Sequence, residues 1–62
     1  MTIIGYRCGH RCIERFNAMG LNIGREFSIV CEEPGGGPYV IDIDGHQLTI
    51  GRGMYSKLIL KE

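Results

Sequence analysis

The run Phe16-Asn17-Ala18-Met19-Gly20-Leu21-Asn22-Ile23-Gly24 constrains this chain more than any other part of it. An apolar-faced helix ends at Gly20, where glycine takes the left-handed conformation without a Cβ penalty. Leu21 is then placed to fold back onto the last helical turn. A second turn at Gly24 leads into a strand. The segment packs one small helix against whatever sheet the rest of the chain builds.

That sheet is read from alternation. Residues 2 to 6, apolar and β-branched, form a first strand, and residues 7 to 11 a loop. Residues 12 to 19 carry Cys12, Ile13, Phe16 and Met19 on one face at helical spacing, with Glu14, Arg15 and Asn17 facing away. A helix of about two turns is marginal alone and needs a sheet behind it. Residues 25 to 31 alternate, with Phe27, Ile29 and Cys31 on the inner side and Glu26 and Ser28 on the outer. Residues 32 to 38 form a glycine- and proline-rich loop. Tyr39, Ile41 and Ile43 share an inward parity that His46, Leu48 and Ile50 continue across Asp44-Gly45, a strong hairpin turn signal. Residues 51 to 57 read as irregular, with room for one turn of 3₁₀ helix, and residues 58 to 61 as a last strand. Five short strands and one short helix make a mainly β, SH3-like, partly open barrel, whose closure protects most strand edges.

Size and charge exclude several functions. With 62 residues the chain reads as one domain spanning 1–62. A domain this short buries only about 60% of its unfolded surface. Seven basic and seven acidic side chains cancel, which argues against an electrostatic nucleic-acid footprint or a polybasic membrane element. No apolar run approaches the roughly 18 residues of a transmembrane helix. Gly5 and Arg7 interrupt any signal peptide, so the expected location is the cytosol.

Little in the chain suggests catalysis. There is no Gly-x-Ser-x-Gly elbow, and Gly35-Gly36-Gly37 lacks the Lys-Ser/Thr of a phosphate-binding loop. That run reads as a hairpin loop, with a partner-contacting loop as the alternative. Asp42 and Asp44, two apart on a strand, point outward together, near Glu26 or Glu33. They read as a solvated face rather than a cation site. Cys8-Gly9-His10-Arg11-Cys12 is the sharpest chemical oddity. These ligand types could hold Zn²⁺ or Fe²⁺, with Cys31 as a fourth. The spacing is not C-x-x-C, however, and Cys12 sits on the inward face. An odd count of three cysteines without a signal peptide does not suggest a disulfide framework, so thiols behaving as small hydrophobes are expected. His46 reads as a residue of the barrel mouth. No catalytic, cofactor or metal residue is assigned.

Five stretches in order carry a family resemblance. Residues 15 to 24, Arg-Phe-Asn-Ala-Met-Gly-Leu-Asn-Ile-Gly, resemble the R-L-x-x-M/L-G-L-x-P-G signature of the FeoA family, with Ile23 where proline is usual. Phe27 to Val30 resemble its second strand, and Glu33 to Pro38 its x-P-x-G-x-P loop. Val40 to Gly45 resemble its hairpin, and Leu48 to Met54 the stretch before its final strand, followed by Tyr55 where a small residue is common. The resemblance implies a non-enzymatic cytosolic accessory protein of bacterial ferrous iron transport. It implies an SH3-like fold, no cofactor, and a partner in the cytosolic part of the membrane transporter FeoB. Met19, Leu21, Met54 and Tyr55 are the candidate docking residues, with core packing the alternative for each. Metal binding and self-association are the other readings. The chain also starts at its first barrel strand, without the lead segment usual in the family, which leaves a strand edge open for weak homo-oligomers.

Overall fold

A computed structural model describes residues 1–32 and 35–62. Its elements, in chain order, are β1 (Thr2–Tyr6), α1 (His10–Ala18), β2 (Ser28–Glu32), β3 (Tyr39–Ile43), β4 (His46–Ile50), α2 (Arg52–Tyr55) and β5 (Leu58–Lys61). The strands form two antiparallel sheets, β1-β5 and β2-β3-β4. The start of β1 joins them. Ile3 donates to the Arg25 carbonyl at 2.9 Å, Phe27 to the Met1 carbonyl at 2.8 Å and Gly24 to the Ile3 carbonyl at 2.7 Å. A bridge between Thr2 and Glu26 lies beside them. The result is the mainly β, SH3-like, partly open barrel read from the alternation.

The helix ends as the glycine pattern requires. Gly20 has φ +86°. Its N–H bonds the Asn17 carbonyl at 3.0 Å, and the Leu21 N–H reaches back to the Phe16 carbonyl at 2.9 Å. This double bond pattern is a Schellman motif, and its usual apolar contact joins Phe16 to Leu21. Both side chains are fully buried, as are Ile3 and Ile41, and Phe27, Ile43, Ile50 and Leu58 complete the core. The Asp44-Gly45 hairpin is also as expected. Both residues have positive φ, at 52° and 82°, and Ile43 pairs with His46.

Several expectations need correcting. The helix begins at His10, not residue 12, and takes in part of the expected loop. Only Phe16 of its inward face is buried; Cys12, Ile13 and Met19 are half-buried. The second strand runs over Ser28–Glu32, later than expected, and all five residues are exposed. Ile29 and Cys31 therefore do not join Phe27 inside. The register slips between Ile29 and Cys31, so the alternation breaks at Val30. In addition, β2 is an outer strand of its sheet, and Ile29 has a neighbour strand on one flank only. His46, the first residue of β4, is exposed rather than inward although its cross-strand partner Ile43 is core. Residues 52–55 form one turn of α-helix. Glu33 and Pro34, part of the expected loop, lie outside the described residues.

Candidate docking site

The end of α1 and the β3–β4 hairpin enclose a cleft of about 430 Å³. Met19 and Gly20 form one wall, and Ile43, Leu48 and His46 the other. The Schellman turn fixes the first wall, since it turns the chain at Gly20 while Leu21 anchors it in the core. The positive-φ turn fixes the second by setting the β3–β4 register. Arg25 and Asp44 form an ion pair at the rim, joining the segment after Gly24 to the hairpin tip. Both side chains are about half exposed, so the pair orients the rim more than it stabilises the fold. Asp42 accepts a hydrogen bond from the Gly45 N–H at 3.1 Å, an Asx-type contact that holds the turn. The two aspartates thus serve the hairpin, and Asp44 does so while paired to Arg25.

Tyr6 braces this site from behind. Its ring stacks on Phe16 at 5.4 Å between centroids. Its hydroxyl donates to the Leu21 carbonyl at 2.6 Å and lies 3.2 Å from Asn17 Oδ1. Nothing in the local sequence pattern around Tyr6 points to a partner in the helix end, so this role is not legible there.

A second surface forms around α2. Tyr55 stacks on Tyr39 with centroids 4.1 Å apart and meets Phe27 edge-on at 6.3 Å. The Arg52 guanidinium lies 4.8 Å from the Tyr39 ring centre. Its Nη1 donates to the Tyr39 hydroxyl at 3.0 Å, and its Nη2 is 3.7 Å from Glu32 Oε1. Burial, followed by the Tyr39 and Glu32 charges, raises the Tyr55 pKa above its usual 10.0.

The four docking candidates therefore separate. Met19 lines the cleft. Leu21 is core. Met54 and Tyr55 are half-buried against the core at α2, away from the cleft walls. The metal-ligand set is not assembled. Cys8 and Cys12 are joined by a disulfide, with Cα atoms 5.9 Å apart, which corrects the expectation of free thiols. The physical reason is the early helix start: it sets the two cysteines at either end of the first turn, within bridging distance. His10 Nε2 lies 2.9 Å from Glu14 on the exposed face of α1, and Cys31 is free and exposed on β2. Among the described residues no three of His, Cys, Asp and Glu come together as a ligand cluster. No described helix is long and apolar enough to cross a membrane.

Comparison with known proteins agrees with this architecture. A protein of Methanocaldococcus jannaschii that carries the provisional name Fe(2+) transport protein A is 31% identical over 55 residues, covering 89% of this chain. The chain spans 62% of that relative's length. The crystal structure of an iron uptake regulatory protein (FeoA) superposes with a TM-score of 0.82 at 22% identity, over 97% of this chain and 77% of the other, which speaks to the fold. The FeoA domain model matches residues 1–62, and the chain belongs to the FeoA domain family.

Proposed function

We propose that this chain is a cytosolic accessory protein of ferrous iron transport, and that it acts by docking on the cytosolic part of a FeoB-type transporter through the cleft between α1 and the hairpin. Family membership supports the transport role. The observation that carries the docking reading is the cleft itself, with apolar walls at Met19, Ile43 and Leu48 and an ion-paired rim at Arg25 and Asp44. Interfaces of this kind draw their energy from a few apolar anchors in a pocket, with the polar rim setting register. The protein needs no catalytic group for this role, and its 62 residues act as one domain.

Binding of the purified transporter cytosolic domain to immobilised chain tests the reading. Micromolar affinity that Met19→Asp and Leu48→Asp weaken at least tenfold is expected. Undiminished binding by both variants would move the site elsewhere, and no binding at tens of micromolar would remove the partner.

One observation favours weak self-association as a second reading. Ile29 and Val30 are 41% and 51% exposed on β2, an outer strand. Such edges pair readily with other chains. A monomer mass that holds at high concentration in light scattering would count against it.

A further inference from the structure

We propose that Cys8 and Cys12 form a reversible dithiol–disulfide site, which exchanges with small thiols and tethers or releases the first turn of α1. Four observations meet here. The two sulfurs are bonded across one turn, Cys8 just ahead of the capping Gly9 and Cys12 within the helix. The loop they close is short, so making or breaking the cross-link changes little chain entropy, and the fold depends little on the bridge for its stability. Both residues are half-buried rather than sealed in the core. Arg7 precedes the pair in sequence and Arg11 lies within it, no acidic residue stands in the first helical turn, and the nearest carboxylate in sequence, Glu14, is paired to His10. Cysteines that exchange sit in partly exposed, positive sites of this kind, because the thiolate is the attacking and leaving species.

The exchange balances with a small thiol as co-reactant. Its thiolate attacks one sulfur of the bridge, the Cys8–Cys12 bond breaks, and the other cysteine leaves as a thiolate that takes up a proton. A second thiol then attacks the mixed disulfide, freeing the remaining cysteine and leaving the small thiol as its own disulfide. The bridge gains two electrons and two protons in all, and two small thiols lose them.

The structure also locates the consequence. Gly9 caps the helix without any side-chain hydrogen bond, so the bridge and the packing of Cys8 and Cys12 against the core hold the first turn. The far end of α1 is held independently by Phe16, Leu21 and the Tyr6 hydroxyl. Reduction therefore loosens residues 8 to 14 and leaves the cleft end of the helix in place.

The test uses the full chain carrying Cys31→Ser, which removes the exposed third thiol. The ¹⁵N-labelled protein is equilibrated in glutathione buffers from fully oxidised to fully reduced, and its thiols are trapped by alkylation and counted by mass. The expected result is one reversible transition within the range those buffers span, with amide shifts confined to residues 8 to 14. Cys8→Ser combined with Cys12→Ser should give the reduced-like spectrum in every buffer. A bridge that survives excess reduced glutathione, a pair that never closes in oxidised glutathione, or a reduction that unfolds the whole chain would each overturn the proposal. If the double variant does not fold, the titration of the Cys31→Ser protein decides alone.

Discussion

Replacing Gly20 with alanine isolates the turn that places α1. Gly20 has φ +86°, and a Cβ built there meets no atom within 4 Å. The substitution thus carries no steric term, only the conformational one. Forcing an L-residue into the left-handed region costs about 1–2 kcal/mol. Alanine also narrows the unfolded ensemble, which offsets about 0.4–1 kcal/mol. The net expectation is a destabilisation of about 0–1.6 kcal/mol, with a midpoint of about 0.8, and a domain this size loses about 4–8 °C in melting temperature per kcal/mol. Gly53→Ala is the control. Gly53 lies in α2, outside the positive-φ set, and its Cβ site is also open. That change should stabilise by about 0.4–1 kcal/mol. Urea unfolding followed by circular dichroism measures both, and a synthetic chain with D-alanine at 20 should gain stability where L-alanine loses it. If Gly20→Ala gains stability as Gly53→Ala does, the left-handed turn is not what ends this helix.

Three further outcomes follow from the packing. Phe16→Ala should cost about 3–5 kcal/mol; against a total of about 3–9 kcal/mol for a chain of this length, the cooperative urea transition should vanish or shift far down. Tyr6→Phe keeps the stack on Phe16 but removes the donor to the Leu21 carbonyl, and should cost about 1 kcal/mol in the same assay. Tyr55 holds its proton more tightly folded than unfolded, because burial and then the Tyr39 and Glu32 charges disfavour the phenolate. Its contribution is therefore complete below the ordinary phenol pKa of 10.0 and is lost as pH rises through the higher folded value. In an ultraviolet titration Tyr55 should ionise after a free phenol does, and Tyr55→Phe should lessen the fall in stability at alkaline pH.

Much of this fold can be read in the residues because local and global preferences agree. Gly20 with Leu21, and Asp44 with Gly45, are positions where backbone chemistry leaves few alternatives, and the hairpin and helix end follow from them. The start of α1 is the counterexample. Gly9 offers no side-chain cap and the first turn holds no acid, so the usual entry signals are absent and the helix begins two residues early. The outer face of β2 misleads for another reason. Alternation announces a strand but not its place in the sheet, and a bulge at Val30 resets the parity. At the candidate site, Met19 was legible as a helix-end residue. The opposing wall was not: Ile43 and Leu48 pack in or against the core as their inward parity predicts, and only the folded chain shows that they also face the helix end across from Gly20. The disulfide depends on the same helix start and was hidden with it.

Chemical-shift mapping of the labelled chain against the transporter's cytosolic domain, with and without guanine nucleotide, tests the docking claim most directly. Perturbations centred on Met19, Gly20, Ile43, His46 and Leu48 are predicted. Shifts gathered instead around Tyr39, Arg52 and Tyr55, or a spectrum unchanged at tens of micromolar partner, would contradict it.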